Sequence, residues 1–306
     1  MDLSFIIVSW NVRDLVRKAL ASIQVDTAGT EAEIILVDNA SRDNTVEMVR
    51  SEFPSVHVIA NPDNRGFTRA NNQGLALARG RYLFLLNPDA ELIPGATSAM
   101  LEYMAANPEV GIVGPQLRYP DGSIQSSRRR FPTFVTGLVE STRLQQGFPQ
   151  NRWLTRYYIQ ETPDDAVQDV DWIVGAAMLV RREVYEQLGG LDEAFFMYSE
   201  ELDWCYRAKQ AGWRVVYFPQ ARVIHHEGKS SEQVTAKRDI YFHSSKVRFF
   251  RKHHGVGQAE SLRLFLLGMF AFQSSEEGLK WLLGHKRPLR AARVRAYWQV
   301  LKSGLK

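Results

Sequence analysis

The chain has 306 residues, 45% of them hydrophobic and 24% charged, with a formal net charge of +4. This composition excludes a disordered chain and leaves room for one large domain or a domain with an appendage. Its one cysteine, Cys205, excludes an internal disulfide and a cysteine-based metal site and points to a reducing compartment.

Apolar runs at 3–9, 33–37, 56–60, 82–86 and 111–115 read as strands, and the intervals 15–24, 45–51, 68–78 and 96–106 place apolar residues at helical spacing. This alternation predicts a mostly parallel sheet flanked by helices. The N-terminus lacks a basic leader, so 3–9 reads as a first strand and not as a signal peptide. From 118 to 169 the chain is rich in Arg, Gln, Pro and Thr, and loops and short helices are expected. Regular structure returns at 170–181, followed by a helix to 188, a helix over 200–210 and short strands at 214–217 and 222–225.

Beyond Gln233 the pattern is helical and basic, with Lys237, Arg238, Lys246, Arg248, Arg251 and Lys252, then Lys286, Arg287, Arg290, Arg293 and Arg295. The most apolar stretch, 262–272, contains Arg263 and falls short of the ~20 residues a spanning helix needs. Two readings of this tail stay open. It is a helix lying in the interface of an anionic membrane, or a helical cap with a solvated basic face.

Chemistry concentrates at strand ends. The run 82–86 needs its leucines and Phe84 for packing, yet nothing in packing needs Asp89 directly after Asn87 and Pro88. In open α/β sheets that edge is where ligands sit. Asp38 ends the second strand and either accepts hydrogen bonds from a nucleobase or ribose or belongs to a purely local turn, whereas Ser41, Asp43 and Thr45 suit a helix cap. No glycine-rich turn follows the first strand, so a Rossmann dehydrogenase and a P-loop enzyme are both disfavoured. Asn64, Arg65 and Gly66 form a turn that either meets a phosphate or simply starts a helix.

Glu200, Glu201 and Asp203 crowd one helix start. A helix dipole accounts for one acid there, while adjacent carboxylates raise one another's pKa, as a general base requires. His225 ends a short strand ahead of Gly228 and Ser230, and is either a structural histidine or the completion of a site begun by Asp89. Arg128, Arg129 and Arg130 are either acceptor-phosphate contacts or a solvated basic loop.

Together, Ser9 to Asn11, Asp38 to Asp43, Asn64 to Phe67, Asn87 to Asp89, Glu200 to Asp203 and His225 to Ser230 resemble the family 2 glycosyltransferases of the GT-A fold, most of all the bacterial rhamnosyltransferase-type branch. The resemblance covers about 3–231. It implies a GT-A domain over 1–231, with a nucleotide-binding half to about 116, an acceptor and catalytic half over about 117–231, and a helical appendage over 232–306. It implies that Asp38, with Ser9 and Asn11, binds the base and ribose. Asp89 would hold Mg2+ or Mn2+, with His225 completing the metal or diphosphate site and Glu201 acting as base. Two departures stand out: Asn87 replaces the first acid of a D-x-D motif, and Glu201 replaces an aspartate, which leaves Glu200 as a possible base.

The resemblance further implies an inverting transfer from a nucleotide diphosphate sugar, with dTDP-rhamnose first and UDP- or GDP-sugars behind it, to a lipid-linked or cell-surface glycan acceptor. No nucleic-acid partner is expected. The expected place is the cytosol, peripheral on the inner face of the membrane. The alternatives are a nucleotide-sugar-binding subunit without turnover and a nucleotidyltransferase, although the latter needs a glycine- and arginine-rich signature that is missing after the first strand.

Overall fold

The computed structural model describes residues 1–149, 151–226 and 235–306. The chain begins β1 (Leu3–Ser9), α1 (Arg13–Asp26), β2 (Ala32–Asp38), α2 (Thr45–Glu52), β3 (His57–Ala60) and α3 (Phe67–Leu77). It continues β4 (Tyr82–Leu86), β5 (Ala90–Leu92), α4 (Ala96–Ala106), β6 (Val110–Arg118), β7 (Ile124–Gln125) and β8 (Arg128–Arg129). The short helices α5 (Phe134–Val139), α6 (Arg143–Gly147) and α7 (Arg152–Tyr157) precede β9 (Gln168–Asp169), β10 (Trp172–Ile173) and β11 (Ala177–Arg181). Then come α8 (Arg182–Leu188), α9 (Glu200–Gln210), β12 (Arg214–His225), α10 (Thr235–His253), α11 (Val256–Leu282) and α12 (Arg287–Ser303).

Contacts divide the chain into two units, one of 1–131, 158–196 and 200–230, the other of 132–157, 197–199 and 231–306. The first unit holds a sheet in the order β3-β2-β1-β4-β11-β6-β12-β5. Strand β1 runs parallel to β2 and β4, and β2 parallel to β3. Strand β11 runs antiparallel to β4 and β6, and β6 parallel to β12. The C-terminal ends of β1, β2, β4, β6 and β12 therefore share one edge with the start of β11. All seven residues of β1 and all five of β4 are buried, as strands covered on both faces require. Phe5 and Phe84 lock the two strands together with ring centroids 5.1 Å apart.

The mostly parallel sheet flanked by helices is the expected architecture. Two details differ from the sequence pattern. The stretches 214–217 and 222–225 are one strand, β12, whose register against β6 shifts between Phe218 and Arg222. Pro219 lies in that shift, and its missing N–H is accommodated by the irregularity without ending the strand. Strand β5 has no counterpart in the sequence reading, being three residues long, and it pairs antiparallel with the end of β12.

In the second unit α11 buries Ala259, Leu262, Leu266, Phe270 and Glu277 along one helical stripe. Arg290 of α12 donates to both carboxylate oxygens of Glu277, at 2.8 and 2.7 Å. Residues 132–157, read from the sequence as part of the acceptor half, pack with these helices: α5 lies on α11, Lys246 pairs with Glu140, and Arg143 pairs with Glu276. No helix among the described residues is long and apolar enough to cross a membrane.

Candidate active site

The shared strand edge gathers most of the polar residues singled out in the sequence. Ser9 and Asp38 are register partners at the ends of β1 and β2, and Ser9 Oγ donates to Asp38 Oδ1 at 2.9 Å. Asp38 Oδ2 accepts the Ser41 N–H at 2.8 Å, so the carboxylate is oriented while keeping lone pairs in reserve. Asn11 sits at a φ of 53°, which asparagine tolerates, and its Oδ1 accepts the Arg42 N–H at 2.7 Å. It stitches the loop after β1 to the loop after β2. Asp43 accepts the N–H of Arg13 at 2.8 Å and the hydroxyl of Thr45 at 2.5 Å, so it joins the starts of α1 and α2.

The next loop is held by Asn39, whose amide donates to the Gly66 carbonyl at 3.0 Å, and by Asn64, whose Oδ1 accepts the Gly66 N–H at 3.0 Å. Gly66 has a φ of 86°, and a Cβ there would lie 2.8 Å from the Phe196 carbonyl oxygen. Arg65 projects from this loop and is exposed, with a long 3.4 Å contact to Asp63.

After β4, the Asn87 N–H donates to the Ala176 carbonyl at 2.8 Å, and the chain turns into β5. Pairing of β5 with β12 sets Ala90 opposite His225. It also lets His226 N–H donate to the Asp89 carbonyl at 3.0 Å. Asp89 Oδ1 and His225 Nε2 are consequently 3.4 Å apart, with both side chains buried. Asn87 Nδ2 is also 3.4 Å from His225 Nε2, while Asn87 Oδ1 is buried with no partner. On the far side of the ring, Nδ1 lies 2.8 Å from Gln125 Oε1. Gly228 and Ser230, the rest of the histidine motif, lie outside the described residues.

Glu200 and Glu201 open α9, preceded by two residues in the left-handed region, Tyr198 at 70° and Ser199 at 64°. Such backbone costs roughly 1–3 kcal/mol per residue and is found where a side chain must be aimed. Glu201 accepts a hydrogen bond from Gly175 N–H, next to the Ala176 that holds Asn87. Gly175 packs closely on this helix, since a Cβ there would lie 3.2 Å from the Glu201 Cβ and would push it by a few tenths of an ångström. The turn before β11 thus ties the acidic helix to the end of β4. Each glutamate keeps one Oε2 without a partner. Burial pushes Glu200 well above the usual carboxylate range, and the charge of Glu201 adds to it. Burial also raises Glu201, against hydrogen bonds from backbone N–H groups and the charge of Arg129. Glu200 is enclosed, whereas Glu201 retains partial access to solvent. Asp203 is scaffolding: it holds Arg207 at 2.8 Å, and Arg207 in turn donates to the carbonyls of Leu188 and Gly190.

The arginine run separates into three environments. Arg128 is buried, paired with Asp164 at 2.6 Å, bonded to the carbonyls of Ile159 and Thr162, and stacked on Tyr217. Its place as an acceptor contact is corrected to a structural one, since the guanidinium is buried and both of its terminal nitrogens are bonded inside the fold. Arg129 lies 4.5 Å from the Tyr158 ring centroid and is close enough to Glu201 to affect its charge. Arg130 stays largely exposed, 3.9 Å from Asp171.

Residues 4–189 match the family described as glycosyl transferase family 2. The chain belongs to this family. Among curated relatives, the N-acetylglucosaminyl-diphospho-decaprenol L-rhamnosyltransferase of Mycobacterium tuberculosis is 32% identical over 266 residues, covering 83% of this chain and 86% of the relative. Rhamnosyltransferase WbbL of Escherichia coli is 25% identical, covering 81% and 92%. These relatives place this glycosyltransferase in the rhamnosyltransferase branch. Two solved structures share the fold at 16% identity. Mannosyltransferase PcManGT from Pyrobaculum calidifontis, in complex with GDP-Man and Mn2+, has a TM-score of 0.57 over 98% of this chain and 85% of that one. GalNAc-T7, with UDP, GalNAc and Mn2+, has a TM-score of 0.60 over 82% of this chain, which spans 48% of the GalNAc-T7 chain.

The acidic pair of this glycosyltransferase makes stability depend on pH. A carboxyl whose folded pKa lies above its unfolded value supports the fold fully below that value, 4.5 for glutamate, and loses the support as pH rises through the folded pKa. Glu200→Gln is therefore expected to gain unfolding midpoint in urea relative to the parent as pH rises above 4.5. Midpoints that stay parallel across that range would show that Glu200 carries no such burden.

Proposed function

We propose that this glycosyltransferase moves rhamnose from dTDP-rhamnose, with inversion, to a hydroxyl of a lipid-linked or cell-surface glycan precursor. The observation that carries the reading is Glu201, a carboxyl raised by burial with an unpartnered oxygen, at the sheet edge that also holds the buried pair Asp89 and His225. Rhamnose and the lipid-linked acceptor are supported by what the M. tuberculosis relative is named for, and rhamnose again by the E. coli one. UDP- and GDP-sugars are the second choice of donor.

Asp38 and Ser9 receive the base and ribose, with the loop of Asn64, Arg65 and Gly66 beside them. Glu201 takes the acceptor hydroxyl proton as that oxygen attacks the anomeric carbon, and the bond from this carbon to the β-phosphate oxygen breaks on the opposite face. A divalent ion fits the residues present. Among the described residues no cluster of three or more His, Cys, Asp or Glu exists, but Mg2+ ordinarily takes one or two carboxylates and completes its shell with substrate phosphates and water. Asp89, His225 and the orphaned Asn87 Oδ1 would hold Mg2+ or Mn2+, which when bound supplies positive charge to the departing diphosphate. A binding subunit without turnover has no use for a raised, unpartnered carboxyl, which disfavours that alternative.

Glu201→Gln keeps shape and removes the base, so transfer is expected to fall by about 100-fold or more with nucleotide-sugar binding unchanged in thermal-shift titrations. Turnover near that of the parent would move the base to Glu200 or remove the assignment.

We also propose a cytosolic enzyme resting on an anionic membrane surface. Around the turn from α11 to α12, Leu279, Trp281, Leu282 and Leu283 are exposed, Leu283 at 77%, beside Lys280, Lys286 and Arg287, with Arg287 5.7 Å from the Trp281 ring centroid. Apolar side chains rimmed by cations suit the headgroup boundary of an anionic bilayer. Flotation with vesicles containing phosphatidylglycerol is expected to exceed flotation with neutral vesicles, and Leu282→Glu with Leu283→Glu should abolish the difference. Equal flotation with both vesicle types would remove the membrane role.

A further inference from the structure

We infer that Gln125 is a positioning residue that fixes which nitrogen of His225 carries the proton. It stands on β7, a two-residue strand with no part in the function described above, and it pairs with Leu117 of β6. Gln125 and His225 are both buried, at 7% and 6% exposure, so neither is free to exchange its partner for bulk water. The Gln125 Oε1 to His225 Nδ1 contact is 2.8 Å, a full hydrogen bond, and an amide oxygen can only accept. With the amide oxygen turned toward the ring, the proton sits on Nδ1. On the other nitrogen, Asp89 Oδ1 at 3.4 Å is too distant an acceptor to hold the proton on Nε2 against the shorter bond, and Asn87 Nδ2, also at 3.4 Å, can only donate to Nε2. The Nε2 lone pair is left facing the Asp89 carboxylate.

The consequence rests on the reading of Asp89 and His225 as cation ligands. Only an unprotonated imidazole nitrogen binds a metal, and the hydrogen bond on the other nitrogen decides which one is free. Gln125 fills that supporting place with a neutral oxygen, where a carboxylate would make the imidazole a stronger donor. A neutral partner leaves Asp89 as the one formal negative charge of the pair and keeps the apparent affinity for the ion tied to the arriving diphosphate. Gln125 touches neither sugar nor phosphate in this scheme; it acts through the ring.

The test uses full-length protein labelled with 15N-histidine. Ring 15N to proton correlation spectra, recorded without metal, report the tautomer, with His225→Asn identifying the signal. Mn2+ titration in the presence of dTDP, followed by electron paramagnetic resonance, reports affinity. In the parent protein His225 is expected to be protonated at Nδ1. Gln125→Leu should lose that preference and weaken Mn2+ binding about 10-fold or more. Gln125→Glu retains an accepting oxygen and should restore both. A parent spectrum showing the Nε2-protonated ring, or a folded Gln125→Leu protein unchanged in tautomer and affinity, overturns the inference. An Nδ1-protonated ring that shifts in Gln125→Leu, in a parent that binds no Mn2+ with dTDP, upholds the positioning while removing the metal reading.

Discussion

A carboxylate and an imidazole share a dry corner of this fold, and the rest of the unit is arranged to bring them there. Asp89 follows β4 and His225 ends β12, so 136 positions of chain separate side chains that stand 3.4 Å apart. Burying an ionised carboxylate costs several kcal/mol unless it is well partnered. A contact of 3.4 Å to an imidazole is weak compensation. Such a residue is expected where function needs the charge, and the raised, half-satisfied glutamates are a second feature of this kind.

Topology explains how one edge collects these groups. Parallel pairing of β2, β1 and β4 delivers Asp38, Ser9 and Asn87 side by side. The antiparallel β11 begins where β4 ends, so Gly175 and Ala176 connect Asn87 to Glu201 through backbone hydrogen bonds. The short β5 completes the set by pinning the strand after Asp89 to the end of β12. The end of β4 and the start of α9 are thus linked through a single glycine turn.

The sequence made much of this legible. Continuous apolar runs identified β1, β4 and their partners, and Asp38, Asp89 and Glu201 stood out because neither packing nor capping accounts for carboxylates in those places. The remainder was hidden for physical reasons. Strands of two or three residues, β5 and β7, have no periodicity to read, and with them went the register that joins His225 to Asp89 and the role of Gln125. Nothing in the sequence marked Gly175, since its close contact is with a helix 26 positions later. Arg128 was indistinguishable by type from Arg129 and Arg130; only the carbonyls and Asp164 around it reveal a buried structural ion. The stretches 214–217 and 222–225 read as separate strands because the register shift that absorbs Pro219 depends on the neighbouring strand.

The most direct measurement is a crystal structure of the protein with dTDP and Mn2+, with the ion located by its anomalous scattering. The expected peak lies between the Asp89 carboxylate and His225 Nε2, with the diphosphate beside it and Glu201 facing the anomeric position. An ion held elsewhere, or a nucleotide bound at an edge that does not include Asp38 and Asp89, would contradict the site described here.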